Sequence, residues 1–279
     1  MPGGCAHNVP RASLQSGGDV HPSRSSFIAL AFLISLGLCT GTAHAAPGLR
    51  CEAAAAVTTT DQQALRTGAA SEVANLYANP SHARALAEML LGGHASALRW
   101  DRVPELVVLM PVMTYEKGSG TNYRATAEQL TDAEATALVA DLTEALAVLT
   151  DDALRAFSSV RRETVSPGDI VNVMRPGQIV VGRYKGVREQ LATIGFGGRA
   201  TRGDTIRSGS IILDSDFDRS SSERPLLRMH ELGHALGYNH VESQVSIMNP
   251  RIGPAFTDFD RAAARLAFQN FSVLPGSCS

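Results

Sequence analysis

The 279-residue chain has few aromatic residues, only 5 % of it, so its core must rest mainly on aliphatic side chains. It has no surplus of charge: 25 Lys and Arg face 27 Asp and Glu, for a formal net charge of −2. The basic excess of a nucleic-acid surface is missing, and no nucleic-acid partner is expected. A long hydrophobic run is missing too. The apolar stretch Phe27 to Cys39 is thirteen residues, short of the roughly 20 that span a bilayer as a helix. Cysteine is scarce, with only Cys5, Cys39, Cys51 and Cys278.

The short apolar run makes sense as part of a targeting segment over residues 1–45. Arg11 and Arg24 supply a weakly basic lead, and Ala43-His44-Ala45 puts small residues at the two positions a signal peptidase reads. Cleavage is expected before Ala46, giving a secreted or periplasmic protein with no stable membrane span. An uncleaved anchor is the alternative. A lipoprotein site at Cys39 is disfavoured by the bulky Leu38 before it. Cleavage removes Cys5 and Cys39. Cys51 and Cys278 then stand near the two ends of the mature chain, where an oxidising compartment invites a disulfide between them. His7, His21 and His44 leave as well. His82 and His94 have no partner at metal-ligand spacing and read as surface residues.

What the chain does have is Arg228-Met229-His230-Glu231-Leu232-Gly233-His234-Ala235-Leu236-Gly237-Tyr238-Asn239-His240, with Ser246-Ile247-Met248-Asn249-Pro250 beyond it. On a helix, residues four apart share a face, so His230 and His234 can hold one zinc ion. Glu231 sits at the flank of that face, placed to take a proton from a metal-bound water. Gly237 tolerates the positive φ that ends a helix, and His240 returns from the turn as a third imidazole. Three neutral nitrogens leave the fourth tetrahedral position open, the pattern of a catalytic zinc site. A lone H-E-x-x-H arises readily by chance; the added glycine, third histidine and methionine make this signal specific.

The stretch resembles the metzincin clan of zinc endopeptidases, whose pattern is H-E-x-x-H-x-x-G-x-x-H followed by a methionine turn. Met248 lies eight residues after His240, a gap most similar to the matrixin branch. Val241 stands where matrixins usually carry serine, and the tyrosine they place just after the methionine is missing. The resemblance implies an α+β zincin-type fold over residues 102–279, with a small twisted mixed sheet, an active-site helix, a backing helix and a C-terminal helix. It implies Zn2+ held by His230, His234 and His240, Glu231 as general base and acid, Met248 as a floor under the histidines, and a protein or peptide substrate. It also implies a substrate-pairing edge strand, which chain order would put at Gly209 to Asp214. A secreted zinc-binding or adhesion module that does not cut is the alternative; Glu231, which metal binding does not need, argues against it.

At this length the chain can hold one large domain or two small ones. Residues 46–101 read as helical, with Ala53 to Leu76 and then Ser81 to Leu91 opened by Asn79-Pro80 and stopped by Gly92-Gly93. They are either a packed extension or a removable pro-segment; Arg50-Cys51 shares two residues with a matrixin cysteine switch but lacks the rest of it. From near Trp100, Leu106 to Met113 reads as a strand with a bulge at Pro111. Thr131 to Glu134 is a capping box before a long helix through Leu149. Ile170–Met174 and Ile179–Tyr184, split by Pro176-Gly177, predict a hairpin or adjacent strands. Gly195 to Gly203 reads as a mobile loop, and Asp214 to Asp218 as a solvated turn rather than a calcium loop. Ser222 is the expected cap of the active-site helix. Met229, Leu232 and Leu236 should face the core, and Thr257 to Asp260 should open a last helix.

Overall fold

The computed structural model describes residues 80–92, 94, 97–251 and 255–268, all within the unit Cys51–Ser279. The expected signal segment, the helix over Ala53 to Leu76 and the Cys51–Cys278 disulfide lie outside the described residues.

A mixed sheet forms around β7 (Gln178–Lys185), six of whose eight residues, Ile179 to Tyr184, are buried in an unbroken run. On one side it lies parallel to β2 (Glu105–Leu109) and to β3 (Pro111–Thr114). On the other it lies parallel to β9 (Thr205–Asp214). Strands covered on both faces read as unbroken apolar runs rather than alternating ones. Accordingly Leu106 and Val108 join the core on the helical side, while Val107 and Leu109 join a second cluster with Tyr115, Tyr123 and Tyr184. The register shift at Pro111 follows the expected bulge, since proline cannot donate to the ladder. β4 (Asn122–Gln129) pairs antiparallel with β3, β5 (Val160–Glu163) parallel with β2, and β6 (Ile170–Asn172) antiparallel with β4. β1 (Arg99–Trp100) lies beside the start of β9.

Three strand expectations need correction. β6 and β7 do not pair: after Pro176-Gly177 the chain enters the middle of the sheet, where β7 pairs with β2, β3 and β9, while β6 lies beside β4 with β4 and β3 between it and β7. Gly195–Arg202 is strand β8, not a mobile loop, and it pairs antiparallel with β9. That makes β9 an internal strand: among the described residues β8 pairs with β9 alone, so the edge on this side lies at β8 and not at Gly209–Asp214.

Six helices complete the described part. α1 (Pro80–Leu91) buries Ala85, Leu86, Met89 and Leu90 in the same core as the sheet. α2 (Asp132–Leu149) starts at the predicted box, with Thr131 and Glu134 exchanging side-chain and backbone hydrogen bonds, and it buries Leu138, Leu142, Leu146 and Leu149. α3 (Val187–Leu191) and α4 (Ser215–Ser220) are short. The supposed turn at Asp214–Asp218 is therefore helical: the Asp214 carboxylate caps α4 by accepting from the Phe217 amide at 2.9 Å. Asp218 is fully buried between arginines, not solvated. α5 (Arg224–Leu236) carries the histidine motif, and α6 (Asp258–Phe268) follows the loop that ends at Thr257. The cap of α5 is Glu223 and not Ser222, with no side-chain capping bond, and Pro225 sits in the first turn. Leu232 and Leu236 are buried as expected, with Met229 packed at the margin of the core.

Glu134 links this framework to pH. Burial works against its ionisation, but hydrogen bonds from the Thr131 amide, Arg183 and the Thr131 hydroxyl prevail and hold the carboxyl at about 2, below its ordinary 4.5. A depressed folded value stabilises the protein above the unfolded value and is lost as pH falls towards the folded one. Wild type should therefore lose melting temperature between about pH 5 and 3 more steeply than Glu134→Gln. Parallel curves from a thermal-melt series would count against it.

Candidate metal centre

α5 stops where the sequence predicts. Gly237 has φ +118°, and the amides of Gly237 and Tyr238 both bond back into the last turn. A side chain there would be doubly unwelcome, because a Cβ would also fall 2.8 Å from the Leu98 carbonyl oxygen. The turn is held from outside by the Tyr238 hydroxyl, which donates to the Leu149 carbonyl at 2.6 Å. Trp100 adds an indole bond to the Ala235 carbonyl at 3.0 Å. These contacts tie the motif helix to α2 and β1.

The three histidines converge. His230 presents Nδ1 to the Ile247 carbonyl at 2.7 Å and His234 presents Nδ1 to the Tyr238 carbonyl at 3.0 Å. A carbonyl only accepts, so in both rings the proton is on Nδ1 and Nε2 carries a free lone pair. The His240 Nε2 lies 3.0 Å from that of His234 and 3.3 Å from that of His230. Nitrogens bound tetrahedrally at about 2.0–2.1 Å stand roughly 3.3 Å apart, so this donor set fits a metal ion. Burial lowers the basicity of all three rings, and takes His234 down to about 3. Neutral imidazoles are the form that coordinates. His230, His234 and His240 could together hold a metal ion.

Glu231 is 3 % exposed, and burial pushes its carboxyl up to about 8 against a bond from the Gly197 amide. Its Oε2 finds no hydrogen-bond partner among the described residues. The carboxylate borders a cleft of about 870 Å3 that contains the three histidines, with Ile194, Phe196 and Leu227 among its walls. No protein-family model and no curated protein matches the chain. Site geometry therefore has to carry the functional reading.

Several supporting residues escaped the sequence reading. A Cβ at Gly197 would overlap the Glu231 carbonyl oxygen, and one at Gly195 would fall 3.2 Å from Glu231 Oε1. These two glycines let β8 lie directly on α5. Gly233 plays the same part on the other side of the helix, where a Cβ would stand 2.5 Å from the Met248 sulfur. Met248 is fully buried beneath the motif. Its turn is anchored by Asp260, which is fully buried and accepts from the Ile247 amide at 3.0 Å and from the Ser246 hydroxyl. The same carboxylate accepts from the Thr257 amide and hydroxyl at 2.8 Å, in the expected box of α6. Asp260 thus fixes Ile247, whose carbonyl orients His230. The sequence signal for this was Thr257 to Asp260; only the fold shows that it serves two elements. His82 and His94 stay out of the site: His94 is exposed, and His82 lies half-buried with its ring edge-on to Phe259.

Proposed function

We propose that this protein is an exported zinc endopeptidase of metzincin type, and that His230, His234 and His240 hold the zinc. The observation that carries the reading is the convergence of three Nε2 lone pairs beside a buried, underbonded carboxylate in one cleft. Zinc, when bound, supplies a Lewis acid that polarises the scissile carbonyl and acidifies water.

The chain's own groups supply the rest. Glu231 takes a proton from the attacking water on its Oε2 side and passes it to the departing amine, so that the C–N bond breaks without expelling a free amide anion. The Gly197 amide holds the other end of the carboxylate and keeps it aimed. β8, which among the described strands pairs only with β9, lines the cleft with Gly195, Phe196 and Gly197. An extended peptide can add there as a further strand, with main-chain bonds giving affinity and side chains left to the walls. This moves the proposed substrate strand from Gly209–Asp214 to Gly195–Arg202.

The test is metal content and cleavage together. Purified protein should carry one zinc per chain, cleave a denatured protein substrate, stop when a chelator is added and recover with zinc. His240→Ala should lower zinc retention. Zinc-loaded protein that leaves every denatured substrate intact would favour the non-cutting module instead.

A further inference from the structure

We infer that Arg199 is a positioning residue of the metal centre and that, through Asn239, helix α1 belongs to the same support. The inference rests on the metal-centre reading. Five residues separate His234 from His240, the last three of them in the loop after α5, and His240 is exposed, so its own packing does little to fix it. Arg199 reaches that loop from β8. Its Nη1 donates to the carbonyls of His234 at 2.9 Å and Tyr238 at 3.1 Å, and its Nη2 to Asn239 Oδ1 at 2.6 Å. The Tyr238 carbonyl is also the acceptor that orients His234. One guanidinium therefore spans the end of α5, the outer partner of one ligand and the residue next to another. Only the planar fork of arginine supplies donors in that spread.

Asn239 carries the support onward. Its backbone amide and its Nδ2 both donate to the Met89 carbonyl in α1, at 2.8 and 3.1 Å. Gly92, with φ +50°, leaves room for the Asn239 side chain where any Cβ would overlap it. The end of α1 is thus shaped around the residue that precedes His240. A detachable cover would contact the cleft; this segment instead holds the loop from behind.

Electrostatics alone would place no arginine here. Its charge would oppose a bound cation, and its partial burial makes that charge costly to keep. The geometry it imposes must outweigh that repulsion, and this gives the test a sign. If Arg199 positions, neutralising it weakens zinc binding; if it acts only through charge, neutralising it tightens binding.

The experiment titrates full-length wild type, Arg199→Gln, Arg199→Lys and Gly92→Ala with Zn2+ against a chromophoric chelator. Melting temperature and the slowly exchanging His234 Nδ1–H resonance are recorded on the metal-free proteins. Arg199→Gln should bind zinc about 10–100-fold more weakly, as removal of outer-shell partners typically does. Arg199→Lys, which keeps the charge and loses the fork, should resemble Gln rather than wild type. Both should lose the His234 resonance. Gly92→Ala should weaken zinc about tenfold, at the low end of the same range. Zinc affinity in Arg199→Gln equal to wild type or tighter, or an unchanged His234 signal, overturns the role of Arg199; unchanged affinity in Gly92→Ala overturns that of α1. Wild type that binds no zinc overturns the metal-centre reading itself, while the His234 resonance still reports whether Arg199 orders the loop.

Discussion

Glu231→Gln is expected to keep its zinc, to melt no lower than wild type, and to lose about 10²–10⁴-fold of peptide turnover, the usual range for a general acid–base. The three parts of that result have separate causes. Zinc stays because the nitrogens of His230, His234 and His240 form the donor set without the carboxylate. Stability holds because the glutamine keeps the side-chain volume and an oxygen for the Gly197 amide. Turnover falls because the amide is no base. A purely structural Glu231 predicts the reverse, with zinc content and melting temperature falling together. Cleavage close to wild type would take the residue out of the proposed reaction.

The site was legible in sequence because its information is local. Helical spacing of His230 and His234, the left-handed turn at Gly237 and the return of His240 all lie within eleven residues, and each has a short-range cause. The capping boxes at Thr131 and Thr257 were legible for the same reason. What was missed depends on approach between distant segments. Gly195, Gly197 and Gly198 look like loop residues by propensity, yet they form an edge strand, and α5 passes too close for a side chain at Gly195 or Gly197. Placing the edge one strand too late followed directly from that. The hairpin at Pro176-Gly177 failed because turn chemistry fixes where a chain bends, not which strand receives it. Arg199 gave no signal at all, since its acceptors are mostly main-chain oxygens about forty residues away.

Asp218 is the largest departure from local reading, and it carries the largest expected effect on stability. Its Oδ1 accepts from Arg228 Nε at 2.7 Å, and its Oδ2 accepts from Arg183 Nε at 2.7 Å and Arg228 Nη2 at 2.8 Å. All three side chains are at most 2 % exposed. Arg228 goes on to Asp141 of α2 at 2.6 Å and Arg183 to Glu134, so β7, α2, α4 and α5 meet at one carboxylate. Asn has the right shape but only one accepting oxygen. Whichever way its amide turns, the NH2 group faces at least one guanidinium N–H, and a buried cation loses part of its compensation. Breaking a buried pair in this way typically costs about 3–5 kcal/mol, or roughly 6–20 °C of melting temperature at this size. The exposed pair Arg155–Asp152, at 3.6 Å with side chains 77 % and 64 % exposed, is the control. Asp152 sits at φ 65°, which asparagine tolerates, and Asp152→Asn should change stability by less than about 1 kcal/mol. If Asp218→Asn melts within a degree or two of that control, the buried network is not what pins the histidine helix to the rest of the fold. A large drop confined to Asp218→Asn locates that anchor two residues before the first ligand, at Arg228.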